Sequence, residues 1–148
     1  MNPCYLDTGV FLLAAGSEHP QRPAARALVK AVAEGSLPAN ISSEVVAEIL
    51  HIAQWRHDRA SGATIARHLT VLFPHPLILD GVVLGAVAAL VAREPRLSIR
   101  AAIHGACVRH YGFTEVVSTD SDLGLLPGIR RWDPLGAVTA WRLPMDLV

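Results

Sequence analysis

The sequence has two cysteines, few aromatic residues and a single lysine, and each scarcity closes off a class of protein. Cys4 and Cys107 are too few for a disulfide framework and lack the paired spacing of a structural zinc site, so both read as small core side chains. Aromatics make up 5% of the chain, and Trp55, Trp132 and Trp141 are scattered. They read as core or partner-contact surface, and no platform for stacked bases is evident. The longest uncharged apolar run, from Gly81 to Ala92, is too short to span a bilayer. The N-terminus lacks the basic, apolar and small-residue sections of a secretion signal, so a cytoplasmic protein is expected. An excess of one charge is missing too. With 13 basic and 13 acidic residues the net charge is zero, and no global field draws nucleic acid to the whole surface.

What is present suits one globular domain over residues 1–148: 51% of the residues are hydrophobic and 18% are charged. The charge is unevenly placed. Residues 51–110 hold Arg56, Arg59, Arg67, Arg93, Arg96, Arg100 and Arg109 against Asp58, Asp80 and Glu94. Arginine forks onto phosphate better than lysine does, although a GC-rich genome produces the same bias.

Short extended stretches alternate with longer helical ones. Strands are expected at Cys4–Leu6, Leu37–Ile41, near Leu77–Leu79, at Glu115–Ser118 and at Ile129–Trp132. Between them, helices are expected over Thr8–Ala15, Gln21–Glu34, Ser42 or Ser43 to about Asp58, Ala60–Leu72, Gly81–Arg93 and Ser98–Gly112. Gly81–Arg93 is apolar nearly all round and reads as a buried helix. The tail from Leu135 to Val148 is expected to cover a sheet edge or contact a partner. This order predicts an α/β fold, a mostly parallel sheet of four to five strands with helices on both faces.

In such sheets the ligand crevice lies beyond the carboxyl ends of the strands. Asp7 follows the first strand, and Asp120 and Asp122 follow the strand that starts at Glu115. Taken alone, Asp7 is either a helix cap or a ligand group, and the two later aspartates are turn residues by default. Glu48 projects near the edge of its helix's apolar stripe, where it can face a cleft, whereas Glu44 points away. Three carboxylates converging at about 5 Å repel by roughly 3 kcal/mol per pair at an effective dielectric near 20. Protons or a cation must relieve that repulsion. An all-oxygen donor set selects Mg²⁺ or Mn²⁺, ions suited to phosphodiester hydrolysis.

The stretches "YLDTGVFLLAAG", "ISSEVVAEIL", "LSIRAAIHGA" and "VVSTDSDLGLLPGIRRWDP", in that order, resemble the PIN-domain ribonucleases, specifically VapC-type toxins of toxin–antitoxin pairs. The resemblance runs from about Pro3 to Pro134. It implies a three-layer α/β/α fold, RNA as substrate, a cognate VapB-like antitoxin as partner and a homodimer. It also implies Mg²⁺ or Mn²⁺ held by Asp7, Glu48 and Asp120, with Asp122 assisting. Two positions depart from the family pattern. Ala101 stands where an aspartate is expected, and Gly9 where Asn often follows the Asp-Thr pair. Arg100, beside the vacant position, is the expected phosphate contact.

Two rival readings accompany this one. The first is a PIN-fold module that no longer cuts and binds RNA or an antitoxin instead. The second is an acidic phosphoryl-accepting receiver, which needs a lysine near a fifth strand, while the one lysine here is Lys30. His104, Cys107 and His110 fall three apart on one helix, but a drift of about 60° per step spreads them around it and argues against a zinc site.

Overall fold

A computed structural model describes residues 1–146. Four short strands, β1 (Cys4–Leu6), β2 (Ala39–Asn40), β3 (Glu115–Val117) and β4 (Arg130–Trp132), form a parallel sheet in the order β2-β1-β3-β4. Among the described residues seven helices flank it: α1 (Thr8–Ala15), α2 (Arg22–Ala33), α3 (Ser43–Trp55), α4 (Arg59–Leu72), α5 (Gly81–Arg93), α6 (Ile99–His110) and α7 (Pro134–Trp141). The expected α/β/α architecture is therefore present.

The two central strands are buried on both faces, which is why β1 reads as a continuous Cys-Tyr-Leu run rather than an alternating one. Side chains from α1, α2, α3 and α6 complete the core around Leu28, Ile41, Val45, Ile49 and Val108. Helices α3 and α4 approach closely at Gly62, where an added Cβ would lie 2.2 Å from that of Ala53. Only glycine permits that contact.

Two expectations need correction. Leu77–Leu79 is not a sheet strand; it makes a single bridge, between Leu77 and Ser42. Pro74 and Pro76 immediately precede the segment and remove backbone donors that a longer ladder would use. Helix α5 is not buried all round. Val83, Val87 and Leu90 face inward, against a neighbourhood that includes α6, while Val82, Leu84 and Val91 remain exposed. Its hydrophobic composition misled because only one side of the helix meets the rest of the molecule. The tail forms α7, which packs on α2 and β4, and Trp141 meets Trp132 edge-on. β4 is an edge strand, and residues 147–148 of the tail lie outside those described.

Parallel pairing of β1 with β3 places Leu6 beside Val117. The residues that follow, Asp7 and Ser118, therefore leave the sheet at the same end. This is the topological basis of the site.

Candidate metal and nuclease site

Asp7 is completely buried, and both its oxygens are used. As the N-cap of α1 it accepts the Thr8 backbone N–H on Oδ1 at 2.7 Å. Its Oδ2 accepts the Ser118 hydroxyl from the end of β3 at 2.5 Å. Cap and site ligand, alternatives from sequence, are thus compatible roles for one carboxylate. The Ser118 oxygen also accepts the backbone N–H of Asp120, which fixes the turn that carries the next acid. Asp120 in turn caps the short 3₁₀ helix Ser121–Leu125 through the Asp122 N–H, leaving its other oxygen directed at the cleft.

Asp7, Glu48 and Asp120 converge, and the group at their centre is the guanidinium of Arg100. Its Nη2 lies 2.5 Å from Asp7 Oδ1 and 2.9 Å from Glu48 Oε1. Its Nε lies 2.8 Å from Glu48 Oε2, and its Nη1 lies 3.2 Å from Asp120 Oδ2. A planar fork of fixed donors suits several carboxylates at once. At an effective dielectric near 20, each such contact attracts by about 4 kcal/mol at 4 Å, enough to offset the repulsion among the acids. Burial disfavours the charged guanidinium, but Asp7 and then Glu48 outweigh it and hold the Arg100 pKa above its ordinary range.

Helix α6 supplies a second contact that sequence reasoning set aside. His104, fully buried, lies one turn after Arg100 and places Nε2 3.3 Å from Glu48 Oε1 and 3.6 Å from Asp7 Oδ1. Its Nδ1 lies 2.7 Å from the Tyr5 hydroxyl, which also meets Ser42 Oγ at 2.8 Å. Burial, reinforced by the Asp7 charge, pushes the Tyr5 pKa well above its usual value. The phenol therefore stays neutral between Ser42 and one ring nitrogen of His104, while the other ring nitrogen faces Glu48. Burial acts to raise the Glu48 carboxyl, yet the hydrogen bonds from His104 and then Thr8, with the Arg100 guanidinium, outweigh it and lower its pKa to about 2. The four-residue spacing of Arg100 and His104 was the available signal, since it puts both on one helical face.

The remaining positions fall elsewhere. Asp122 accepts the Ser98 N–H at 3.2 Å, tying the 3₁₀ turn to the start of α6. Ala101 is not a gap in the acid cluster. It is fully buried in the core, and its N–H is capped by Ser98. With Ser98 as N-cap, Arg100 is the second residue of the helix and turns toward the acids, while Ala101 turns away from them into the packing. The residue facing the acids is therefore Arg100, one place earlier than the expected vacancy. His104, Cys107 and His110 do not gather, since His110 is exposed while the other two are buried. Gly9 leaves room for Thr119, whose hydroxyl would lie 2.4 Å from an added Cβ. A shallow cavity of about 210 Å³ opens beside the cluster and is lined by Thr8, Gly9, Glu48, Arg100, Thr119 and Asp120.

The family model of the PIN domain matches residues 4–128, a stretch that holds β1, β2, β3 and the acids of this site. The chain belongs to the PIN-domain family. Ribonuclease VapC7 of Mycobacterium tuberculosis is 40% identical over 62 residues, which are 42% of this chain but only 43% of that protein. Ribonuclease VapC23 of the same species is 29% identical over 122 residues, covering 80% of this chain and 94% of the relative. Among solved structures, VapBC2 from Rickettsia felis, bound to a DNA fragment from its promoter, superposes with a TM-score of 0.67 at 11% identity. That match covers 89% of this chain and all of the other. FitAcB from Neisseria gonorrhoeae gives 0.68 at 15% identity, covering 89% and 98%. At these identities the structures support the fold, and the PIN assignment rests on the family match.

Asp7, Glu48 and His104 offer ligand atoms within 4.8 Å of one another, a donor set that fits a divalent ion. The space between the acids, however, is taken by the guanidinium. Donor chemistry and occupancy point in different directions here. Among the described residues no helix is long and apolar enough to cross a membrane.

Proposed function

We propose that this chain is an endoribonuclease that hydrolyses RNA phosphodiester bonds and acts as the toxin of a VapBC-type toxin–antitoxin pair. The observation that carries the reading is the convergence of Asp7, Glu48 and Asp120 at the carboxyl ends of β1 and β3, in a chain whose family match spans all three. Asp7, Glu48 and Asp120 are the residues that would hold Mg²⁺ or Mn²⁺, with His104 at their inner side and Asp122 bracing the turn. When bound, such an ion supplies an activated water and neutralises charge on the phosphate. The chain's own contribution is rigidity: Ser118, Tyr5 and His104 fix the acids from behind, so they need no reorganisation when substrate arrives. Arg100, one-third exposed at the mouth, is the residue that would reach an RNA phosphate. The expected partners are RNA, a VapB-like antitoxin that covers the cleft and a second copy of the chain, and the expected location is the cytoplasm.

Incubation with structured RNA and Mn²⁺, beside an Asp7→Asn control, tests the reading. Cutting by the natural chain and its loss in the control are the expected results. Equal cutting in both samples would remove these acids from the chemistry. A second reading, a PIN-fold module that binds without cutting, is favoured by Arg100 standing among the acids. Absence of cutting together with retained RNA or antitoxin binding would select it.

A further inference from the structure

We propose that Arg100 is the built-in counter-ion of this acid cluster and that it excludes a divalent ion, so metal enters only when the guanidinium leaves. The proposal rests on the ribonuclease reading for its purpose but not for its geometry. Three carboxylates from three separate elements direct oxygens at one side chain, at 2.5 to 3.2 Å. An ion bound to the same oxygens would sit about 2.1 Å from them, inside the volume the guanidinium fills. Two cations cannot share that volume, and their mutual repulsion adds to the steric exclusion.

The hydroxyl of Thr8, a residue 1% exposed, lines the cavity between Glu48 and Asp120 and helps keep the Glu48 carboxylate ionised, so the acids present charge whichever cation they face. Arg100 itself is only one-third exposed, and its long side chain can leave the acids by rotation without unfolding α6.

The test is Mn²⁺ binding, followed by the electron paramagnetic resonance of the free ion, for the natural chain and for Arg100→Ala, Arg100→Gln and Arg100→Lys. The two neutral variants should bind Mn²⁺ at least about tenfold more tightly than the natural chain, and Arg100→Lys should stay close to it. Adding Asp7→Asn to Arg100→Ala should abolish the gain. Equal affinity in the natural chain and the neutral variants overturns the proposal, as does failure of the neutral variants to bind. Variants that unfold in EDTA and recover with Mn²⁺ support it; variants that stay unfolded at saturating ion overturn it. RNA cleavage is a separate readout. Its failure would sink the ribonuclease reading alone, whereas unchanged Mn²⁺ affinity would sink this proposal alone.

Discussion

Arg100 and Lys30 both pair with carboxylates, but in different surroundings. Arg100 meets Asp7 where the acid is 1% exposed, and it shares its charge among three acids. Lys30 meets Asp146 at 3.1 Å with side chains 50% and 74% exposed, across the open groove between α2 and the tail. In water the second pair competes with full hydration and gains little. In the first, Asp7 has already lost its hydration, so removing the cation leaves a buried charge without compensation. The lesson is that the ion pair at the strand ends is part of the buried framework of the candidate site, whereas the one on α2 is a surface contact.

The largest break in this comparison comes from Arg100→Met in metal-free buffer, which should cost about 3–5 kcal/mol of folding stability. Urea unfolding with and without Mn²⁺ measures it, and added ion should restore part of the loss. A second effect follows from Glu48, whose folded pKa of about 2 lies below its ordinary value of 4.5. A depressed folded pKa means that the unfolded chain binds the proton first. The contribution of Glu48 is therefore complete above about pH 4.5 and is lost as the pH falls toward 2. Thermal melts across that window should show a shallower decline in Glu48→Gln than in the natural chain. Tyr5→Phe removes the hydroxyl shared by Ser42 and His104 and should cost about 1–3 kcal/mol by leaving buried partners unpaired. At the small end, Lys30→Ala should leave the thermal midpoint unchanged. A drop comparable to that of Arg100→Met would erase the distinction between the two regions.

Much of the frame was legible because local patterns agreed with it. Asp7, Glu48 and Asp120 could be picked out since each sits at a strand end or on a helix edge, and those places are set by short-range periodicity. Leu77–Leu79 and α5 were misread for one shared reason: apolar content records what a segment can bury, not which neighbour arrives to cover it. Ala101 was misplaced as the gap through alignment to a motif, and a one-residue shift on a helix turns a side chain by about 100°. His104 was set aside because the drift of its three-residue spacing to Cys107 and His110 argued against zinc, while its four-residue spacing from Arg100 carried the useful information.

The sequence by itself determined the order of strands and helices, the single core and the acids at the strand ends, since these follow from hydrophobic period, capping and turn chemistry over a few residues. Only the tertiary structure decided which cation those acids face. That depended on α6, some ninety residues after Asp7, being packed so that its second residue points into the cleft. Charge compensation is a property of distances across the fold, and no local pattern encodes them.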